Sequence, residues 1–300
     1  VERRATLLRE PLVLGFQLGQ RVGAGHDEPQ DIGVDGFLVE IVGALRDGPQ
    51  SKALRHIFFA ERAAAKVDLP AGVQARKVAR VAVIGAGTMG GGIAMCFANA
   101  GIPVRLIELS AEALARGRDA IAKNYRSSVS RGSLAQDEAD RRLALIEGAT
   151  DMGAVADGDL VIEAVFEDME VKRKLFTDLD RLAKPGAVLA TNTSYLDVNA
   201  IAAVTARPQD VVGLHFFSPA NVMRLVEVVR AEKTAPDALA TAVSVARTIG
   251  KAPVVVGVCH GFVGNRMLRL RAVEAERLLL EGATPQDVDV RRSIRRFRDT

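Results

Sequence analysis

One segment constrains the fold of this chain more than any other: the run VAVIGAGTMGGGIA at residues 81–94. Its first four residues are apolar and mostly β-branched, which is typical of a buried strand, and the residues after the glycines favour a helix. Between the two, Gly85, Gly87 and Gly90 satisfy the pattern G-x-G-x-x-G. In this context the three glycines permit a tight turn, a close approach of the backbone to a pyrophosphate, and close helix–strand packing. The segment therefore predicts a dinucleotide-binding site.

An acidic residue follows the second predicted strand. Val104–Ile107 is an apolar run with β character, and Glu108 comes directly after it, 108 − 85 = 23 positions beyond Gly85. The acid that binds the ribose in such folds is expected roughly 20 positions after the first glycine. A carboxylate there accepts a hydrogen bond from a 2′-hydroxyl and repels a 2′-phosphate. Glu108 therefore favours NAD over NADP.

Apolar β-branched runs alternate with amphipathic helical segments from residue 78 to residue 258. This alternation, with strands apolar on both faces, is typical of a doubly wound sheet. We predict strands at Val81–Ile84, Val104–Ile107, Leu160–Ala164, Val188–Thr191, Val211–His215, Leu225–Val229 and Pro253–Val256. We predict helices at Met89–Ala100, Ala111–Ser130, Gln136–Leu145, Val171–Leu182, Pro236–Ile249 and from Val263 to about Glu281. The expected fold is α/β, with a Rossmann-type, mostly parallel sheet followed by a helix.

Length and composition limit the class of protein. The 300 residues leave room for about two domains. The 40 basic and 37 acidic side chains give a net charge of +3, too even for a nucleic-acid surface. Cys96 and Cys259 cannot build a disulfide framework, and no residue spacing indicates a metal site. The apolar stretch at residues 81–104 is rich in glycine, so we expect no membrane span. The N-terminus mixes arginines with glutamates and no apolar run follows, so we expect no signal peptide and a cytoplasmic location.

We divide the chain into four segments. Residues 1–47 are glycine-rich, weakly periodic and unassigned, and residues 48–76 hold a connecting helix and a linker. Residues 77–258 form the dinucleotide-binding domain. Residues 259–300 hold a last helix and a basic tail.

Four polar residues are candidates for a catalytic site, because they lie in or after predicted strands or begin the last helix: Ser194, His215, Glu227 and Asn265. In doubly wound sheets, ligands bind at the carboxyl ends of the strands. Each residue also has a structural interpretation. A histidine beside two phenylalanines is typical of a core, and a glutamate between valines is compatible with the outward face of an edge strand. Ser194 and Asn265 are also typical turn or capping residues, so residue type alone leaves both interpretations open.

Five motifs in order, GAGTMG, TNTS, HFFSP, LVEV and GFVGNR, resemble the L-3-hydroxyacyl-CoA dehydrogenase family. The resemblance is strongest to the dehydrogenase part of the multifunctional fatty-acid β-oxidation α-subunit. The reason is the upstream run SKALRHIFFAERAAAK, which resembles the segment that follows the enoyl-CoA hydratase region in those enzymes. The resemblance covers roughly residues 48–289 and implies a Rossmann-type domain followed by an all-α domain.

The resemblance implies roles for particular residues. His215 matches the catalytic histidine of the family, Glu227 the acid paired with it, and Ser194 and Asn265 residues that contact substrate. Ser218 stands where many members have an asparagine near the nicotinamide, and its shorter side chain distinguishes this sequence from them. The implied cofactor-binding residues are Gly85, Gly87, Met89, Gly90, Glu108, Glu167, Lys172, Ser194 and Ser218.

The implied activity is NAD-dependent oxidation of L-3-hydroxyacyl-CoA to 3-ketoacyl-CoA in fatty-acid β-oxidation. The implied partners are an acyl-CoA substrate, a second copy of the chain in a homo-oligomer, and a thiolase β-subunit. Two alternatives stay open: an NAD-binding fragment with weak or no catalysis, and a short-chain 3-hydroxybutyryl-CoA dehydrogenase.

The resemblance ends near residue 48 and near residue 289. Because the family continues into an all-α domain, we expect the last helix to be the first helix of a truncated C-terminal domain. We therefore expect this chain to be a fragment. The last helix carries more apolar positions than one packing face needs, so we also expect self-association.

Overall fold

The computed structural model describes residues 34–64 and 66–289, with side chains from residue 41 onward. The described residues fall into two units, 34–60 and 61–289. Most of the unassigned N-terminal segment and the basic tail after residue 289 lie outside the described residues.

The first unit consists of helical chain. Helix α1 spans Val34–Asp47, and helix α2 spans Pro49–Ala64 and continues into the second unit. The predicted connecting helix corresponds to α2, apart from small differences at its ends. Helix α1 lies in the segment that the sequence analysis left unassigned, because its glycines lower helix propensity and weaken the periodic pattern.

The second unit contains eight strands: β1 (Val81–Ile84), β2 (Val104–Ile107), β3 (Ile146–Ala149), β4 (Leu160–Glu163), β5 (Val188–Thr191), β6 (Val211–Phe216), β7 (Leu225–Arg230) and β8 (Ala252–Gly257). They form one sheet in the order β3-β2-β1-β4-β5-β6-β7-β8. All neighbouring strands are parallel except β6 and β7, which are antiparallel. The strand order reverses between β1 and β4, and ligands of doubly wound sheets bind at this switch point.

The remaining helices connect the strands: α3 (Thr88–Asn99), α4 (Ala111–Ser130), α5 (Gln136–Ala144), α6 (Met169–Leu182), α7 (Val198–Ala202), α8 (Pro236–Thr248) and α9 (Gly264–Leu280). Two short 3₁₀ segments lie at Met152–Asp157 and Pro208–Asp210. The predicted mostly parallel α/β sheet of the Rossmann type is confirmed. Helix α9 is present at the predicted place after the sheet.

Two apolar cores cover the two faces of the sheet. Strand β1 shows the pattern, because Val81 and Val83 belong to one core while Ala82 and Ile84 belong to the other. The first core includes side chains of α3, α4 and α8, and the second includes side chains of α6 and α7. Alternate residues of a strand point to opposite faces, so a sheet buried on both sides needs apolar residues throughout. The apolar runs of the sequence have this origin.

Two features of the sheet and one helix were not predicted. Strand β3 was missed because Glu147 and Gly148 interrupt its apolar pattern. Helix α7 was missed because it has only five residues. The antiparallel pair has a topological cause: residues 217–224 join β6 to β7, and parallel neighbours need a crossover of a dozen or more residues.

None of the helices within the described ranges is both long and apolar enough to cross a membrane. Helix α9 nevertheless exposes large apolar side chains, with Met267 67% and Leu270 68% accessible. Self-association through this helix stays a prediction.

Candidate functional site

The loop between β1 and α3 brings backbone very close to backbone. Gly85 has φ = +99°, and its N–H donates to the carbonyl of Ile107 at 2.8 Å. A Cβ atom on Gly90 would lie 1.8 Å from the carbonyl oxygen of Gly85, so only glycine fits there. By contrast, no atom lies within 4 Å of the corresponding position at Gly87. The loop therefore leaves open space beside a helix N-terminus, which fits the predicted pyrophosphate.

A cleft of about 1280 Å³ adjoins this loop. One wall is formed by the glycine loop with half-buried Met89, another by α4, and a third by Pro219, Asn221 and Val222. Exposed Phe166, which the sequence analysis did not single out, also lines the cleft.

Glu108 lies between this cleft and a second cavity. It lines the main cleft, and it also lines a cavity of about 350 Å³ whose other residues include Leu109, Val171 and Leu175. One of its carboxylate oxygens accepts the N–H of Ala86 at 3.2 Å. The carboxylate is therefore held beside the glycine loop, as expected for a group that meets a ribose.

The two strongest catalytic candidates are paired directly. His215 on β6 lies opposite Glu227 on β7 in the antiparallel register. Its Nδ1 atom lies 2.8 Å from Oε2 of Glu227, and the two residues are 3% and 1% exposed. The other oxygen of Glu227 accepts the N–H groups of Val263 at 3.0 Å and Gly264 at 2.8 Å. Glu227 thus faces inward and joins the sheet to the start of α9, which excludes the interpretation as an outward edge residue.

These contacts determine the protonation of the pair. Burial by itself raises the pKa of Glu227, but hydrogen bonds from His215 and from the N–H groups of Gly264 and Val263 outweigh it. The pKa of this carboxyl therefore lies below its ordinary value. An ionised carboxylate only accepts hydrogen bonds, so Nδ1 of His215 is the donor to Glu227 and Nε2 is the ring nitrogen left for a substrate.

The loop after β5 brings Ser194 to the same edge of the sheet. The side chain of Asn192 accepts the backbone N–H of Phe216, which is the neighbour of His215, at 2.8 Å. One oxygen of Glu167 accepts the hydroxyl of Thr193 at 2.6 Å and the N–H of Ser194 at 2.7 Å. Asn192 therefore fixes this loop to β6, and Glu167 fixes it to the loop after β4.

Asn265 lies in the first turn of α9, directly after Gly264. The carboxylate of Glu227, which contacts His215, also accepts the N–H of Gly264 and so fixes the start of the helix that carries Asn265. Asn265 is half-buried, and the ring of Phe217 next to Gly264 also lies 4.5 Å from the ring of His215. The structure therefore brings the asparagine and the histidine to one region through Glu227 and Phe217.

A buried group of charges supports the loop that carries Ser194. Lys172 and Glu163 are both 0% exposed, and their side chains meet at 2.5 Å. The ammonium of Lys172 also lies 3.5 Å from Glu167, and Thr191 donates to the other oxygen of Glu163 at 2.7 Å. Glu163 was not among the predicted site residues. The feature of the sequence that could have identified it is an acidic residue at the end of an otherwise apolar strand.

Two predicted cofactor-binding residues, Lys172 and Ser218, do not line the cleft themselves. Lys172 contacts carboxylates and has no accessible surface in this conformation, so its predicted contact with a cofactor requires the side chain to move. Ser218 is exposed and precedes Pro219, which lines the cleft. Both assignments stay predictions.

Among residues 34–64 and 66–289, no cluster of three or more His, Cys, Asp and Glu side chains is arranged to hold a metal ion.

Comparison with known families identifies the domain that carries this site. Residues 80–259 match the family model described as 3-hydroxyacyl-CoA dehydrogenase, NAD binding domain. This chain belongs to the 3-hydroxyacyl-CoA dehydrogenase family. Its NAD-binding domain contains the glycine loop, Glu108, the Glu163–Lys172 pair and the His215–Glu227 pair. The family resemblance seen in the motifs is thus confirmed, and the cofactor of this domain is NAD.

Relatives of this dehydrogenase family include longer proteins. The peroxisomal bifunctional enzyme of Cavia porcellus is 44% identical over 252 residues, which are 82% of this chain and 34% of that enzyme. The fatty acid oxidation complex subunit alpha of Shewanella amazonensis is 39% identical over 283 residues, which are 94% of this chain and 38% of that subunit. The chain therefore spans a little over a third of the length of these curated relatives.

A solved member of the dehydrogenase group has the same fold. The crystal structure of 3-hydroxybutyryl-CoA dehydrogenase from Escherichia coli K12 matches with a TM-score of 0.68 and 44% identity. The match covers 70% of this chain and 44% of that one.

Proposed function

We propose that this chain catalyses the NAD-dependent oxidation of L-3-hydroxyacyl-CoA to 3-ketoacyl-CoA, a step of fatty-acid β-oxidation. The observation that carries the proposal is the buried His215–Glu227 pair at the same edge of the sheet as the glycine loop. A binding domain without chemistry has no need for an imidazole held by an ionised carboxylate at this edge.

The cavities fit the two halves of the cofactor. The 350 Å³ cavity, walled by Leu109, Val171 and Leu175, suits an apolar base such as adenine. Glu108 stands at its border and would accept hydrogen bonds from the adjoining ribose. The N–H groups at the start of α3, beside the open space at Gly87, would hold the pyrophosphate. The nicotinamide end would then lie in the main cleft on the side of β6.

His215 would act as the general base. Oxidation of a secondary alcohol breaks the O–H bond and the C3–H bond of the substrate. Nε2 of His215 takes the hydroxyl proton, because Nδ1 is already bonded to Glu227. When bound, NAD supplies the acceptor for the hydride that leaves C3. Glu227 holds the ring tautomer and stabilises the imidazolium that forms.

Ser194 and Asn265 would position the substrate oxygen. Both are half-buried and lie at the edge that carries His215. A hydroxyl and an amide can donate to the alcohol oxygen and, in the reverse reaction, polarise the ketone. Their backbones are fixed through Glu167 and Glu227, so neither side chain has to order its loop on binding.

The main cleft has room and charge for coenzyme A. Away from the glycine loop it is lined by Arg116, Arg131 and Arg142, together with Ser127 and Ser128. Guanidinium groups suit phosphates, because their planar donors match phosphate oxygens. We infer that the phosphates of coenzyme A lie toward this end of the cleft while the acyl C3 approaches His215.

One assay tests the proposed function. The chain is mixed with NADH and acetoacetyl-CoA, and the loss of nicotinamide absorbance is followed, with a longer 3-ketoacyl-CoA in parallel. Turnover of either substrate supports the proposal, and the ratio of the two rates reports acyl preference. NADH binding without turnover of either would instead support the alternative of a non-catalytic NAD-binding fragment.

The proposed partners rest on the family resemblance and on α9. A homo-oligomer is supported by the exposed apolar side chains of α9, and a thiolase β-subunit by the resemblance to the β-oxidation α-subunit. A cytoplasmic location is proposed with them.

A further inference from the structure

A lysine outside the predicted site holds one wall of the cleft. Lys251 lies directly before β8, and its ammonium donates to the carbonyl of Ala220 at 2.5 Å and to that of Met223 at 2.7 Å. Both carbonyls belong to residues 217–224, named here the β6–β7 loop. Hydrogen bonds from a charged donor are stronger than neutral ones, so this lysine fixes the loop in two places.

The opposite side of the β6–β7 loop rests on α3. A Cβ on Gly92 would lie 3.1 Å from the Cβ of Ala220, which leaves no space between loop and helix. The thiol of Cys96, also on α3, donates to the carbonyl of Ala220 at 3.2 Å. That carbonyl therefore receives one donor from the helix and one from Lys251, and the loop is held between the two.

The same loop forms part of the cleft. Pro219, Asn221 and Val222 line it across from the glycine loop, while Ala220 between them is buried against α3. Lys251 does not line the cleft itself. We propose that Lys251 is a positioning residue for cofactor binding, because it sets the β6–β7 loop at the distance from the glycine loop that NAD requires. This inference rests on the NAD binding included in the proposed function.

Cys96 reports the position of the loop without any catalytic assay. It is 3% exposed and lies beneath Ala220, so a thiol reagent reaches it only when the loop opens. Burial raises the pKa of this thiol, and Lys251 lowers it in part. Thiol reagents react with the thiolate, so removing the lysine charge alone would raise the pKa of Cys96 and slow its labelling. Faster labelling in a Lys251 variant must come from opening of the loop.

The experiment compares Lys251→Met, Lys251→Arg and Lys184→Met, each with Cys259→Ser so that Cys96 is the labelled thiol. Lys184 is a matched control, because it is half-buried, pairs with Asp159 and lies at the opposite edge of the sheet. Labelling of Cys96 by a thiol reagent is measured without cofactor, and the Kd of NADH is measured by nicotinamide fluorescence.

We expect Lys251→Met to label Cys96 several-fold faster and to weaken NADH binding by about tenfold, since two charge-assisted hydrogen bonds are lost. Lys251→Arg should keep a labelling rate and an NADH affinity close to those of the parent, because a guanidinium can also donate to both carbonyls. In turnover assays the KM for NADH should rise while kcat changes little. Lys184→Met should lower stability and leave labelling and Kd at parental values.

Three results would overturn the proposal. Parental labelling in Lys251→Met would show that the lysine does not hold the loop. Faster labelling with parental NADH affinity would show that the loop has no part in cofactor binding. If Lys251→Met does not fold, an Arg variant that labels fast and binds NADH weakly would equally contradict it. If the parent chain binds no NADH, the proposed function is wrong. The labelling rates would even then show whether Lys251 holds the loop.

Discussion

His215 and Glu227 lie opposite each other on the antiparallel pair β6–β7, with Nδ1 and Oε2 2.8 Å apart. The remaining neighbours in this described sheet are parallel. Parallel neighbours are joined by long crossovers, whereas an antiparallel pair places two residues of one short hairpin side by side. The turn from β6 into β7 therefore creates the pair on which the proposed chemistry depends.

Replacing His215 by Gln should reduce turnover of acetoacetyl-CoA by about 10²–10⁴-fold, because a general base acts in the chemical step. NADH affinity should stay nearly unchanged, since His215 is not part of the glycine loop. Stopped-flow rates and fluorescence titration measure the two quantities. A variant that keeps parental rates would contradict the assignment of the base.

Replacing Glu227 by Gln should also slow turnover, because the imidazolium loses its counter-charge while the backbone contacts to α9 can be kept by the amide oxygen. Without the carboxylate, protonation of the ring is less favourable. The acid limb of the rate profile for alcohol oxidation should therefore move to lower pH. Rates measured from about pH 5 to 9 in parent and variant test this shift. An unmoved profile would show that Glu227 serves only to pack the strands.

Replacing Glu108 by Ala should narrow the preference for NADH over NADPH. The carboxylate is held beside the glycine loop by the N–H of Ala86, and in the proposed function it would meet the 2′ position of the ribose. Its removal relieves repulsion of a 2′-phosphate, so NADPH affinity should rise while NADH affinity falls. The control is Glu112→Ala, an exposed acid in the first turn of α4. Equal discrimination in parent and Glu108→Ala would refute the ribose assignment.

Replacing Lys172 by Met should lower the free energy of unfolding by about 3–5 kcal/mol, because Glu163 is left buried without its cation. The neighbouring Arg173 supplies the control, since its ion pair with Glu170 is exposed and 3.7 Å long. Arg173→Met should change the free energy by no more than about 0.5 kcal/mol. Urea unfolding at neutral pH measures both. If both variants lost a similarly small free energy of unfolding, the buried Glu163–Lys172 pair would contribute little to stability.

Acid should destabilise the fold partly through Glu167. Burial by itself raises the pKa of this carboxyl, but donors from Thr193, Ser194 and Tyr195 and the charge of Lys172 lower it below the ordinary value. A lowered folded pKa stabilises the native state fully above the unfolded pKa of about 4.3. This stability is lost as the pH falls from there through the folded pKa.

The measurement is the free energy of unfolding between neutral pH and about pH 3. Glu167→Gln should be less stable than the parent near neutral pH and lose less stability in acid, because the amide does not titrate. Glu170→Gln, an exposed acid on α6, should keep the parental slope. A Glu167→Gln slope equal to that of the parent would assign the acid sensitivity elsewhere.

Local patterns in the sequence were sufficient for most of the fold. Seven of the eight strands were predicted, because strands buried on both faces must be apolar throughout, and this signal needs no tertiary information. The glycine spacing and Glu108 were equally local, since both lie within one βαβ unit. Strand β3 was missed because it lies at the sheet edge, where the apolar requirement is weaker and an exposed Glu147 interrupts the pattern.

The candidate site was only partly predictable. Residue type marked His215, Glu227, Ser194 and Asn265, but it left the interpretations as a core histidine and an edge glutamate open. The structure excludes the edge interpretation of Glu227, because its Oε2 lies 2.8 Å from Nδ1 of His215 and both residues are buried. The catalytic roles of the four residues stay predictions.

The sequence by itself determined the strand–turn–helix at Gly85–Gly90, the NAD-binding domain and the layered α/β fold, because backbone conformation and apolar periodicity are local properties. Only the tertiary structure decided which distant residues meet. Lys251 with the β6–β7 loop and Glu227 with the start of α9 are contacts between segments that do not follow one another in the chain, and the buried Glu163–Lys172 pair joins β4 to the next helix, α6. Burial gives these contacts their strength, since charges and hydrogen bonds are screened less away from water, and burial is a property of the assembled fold.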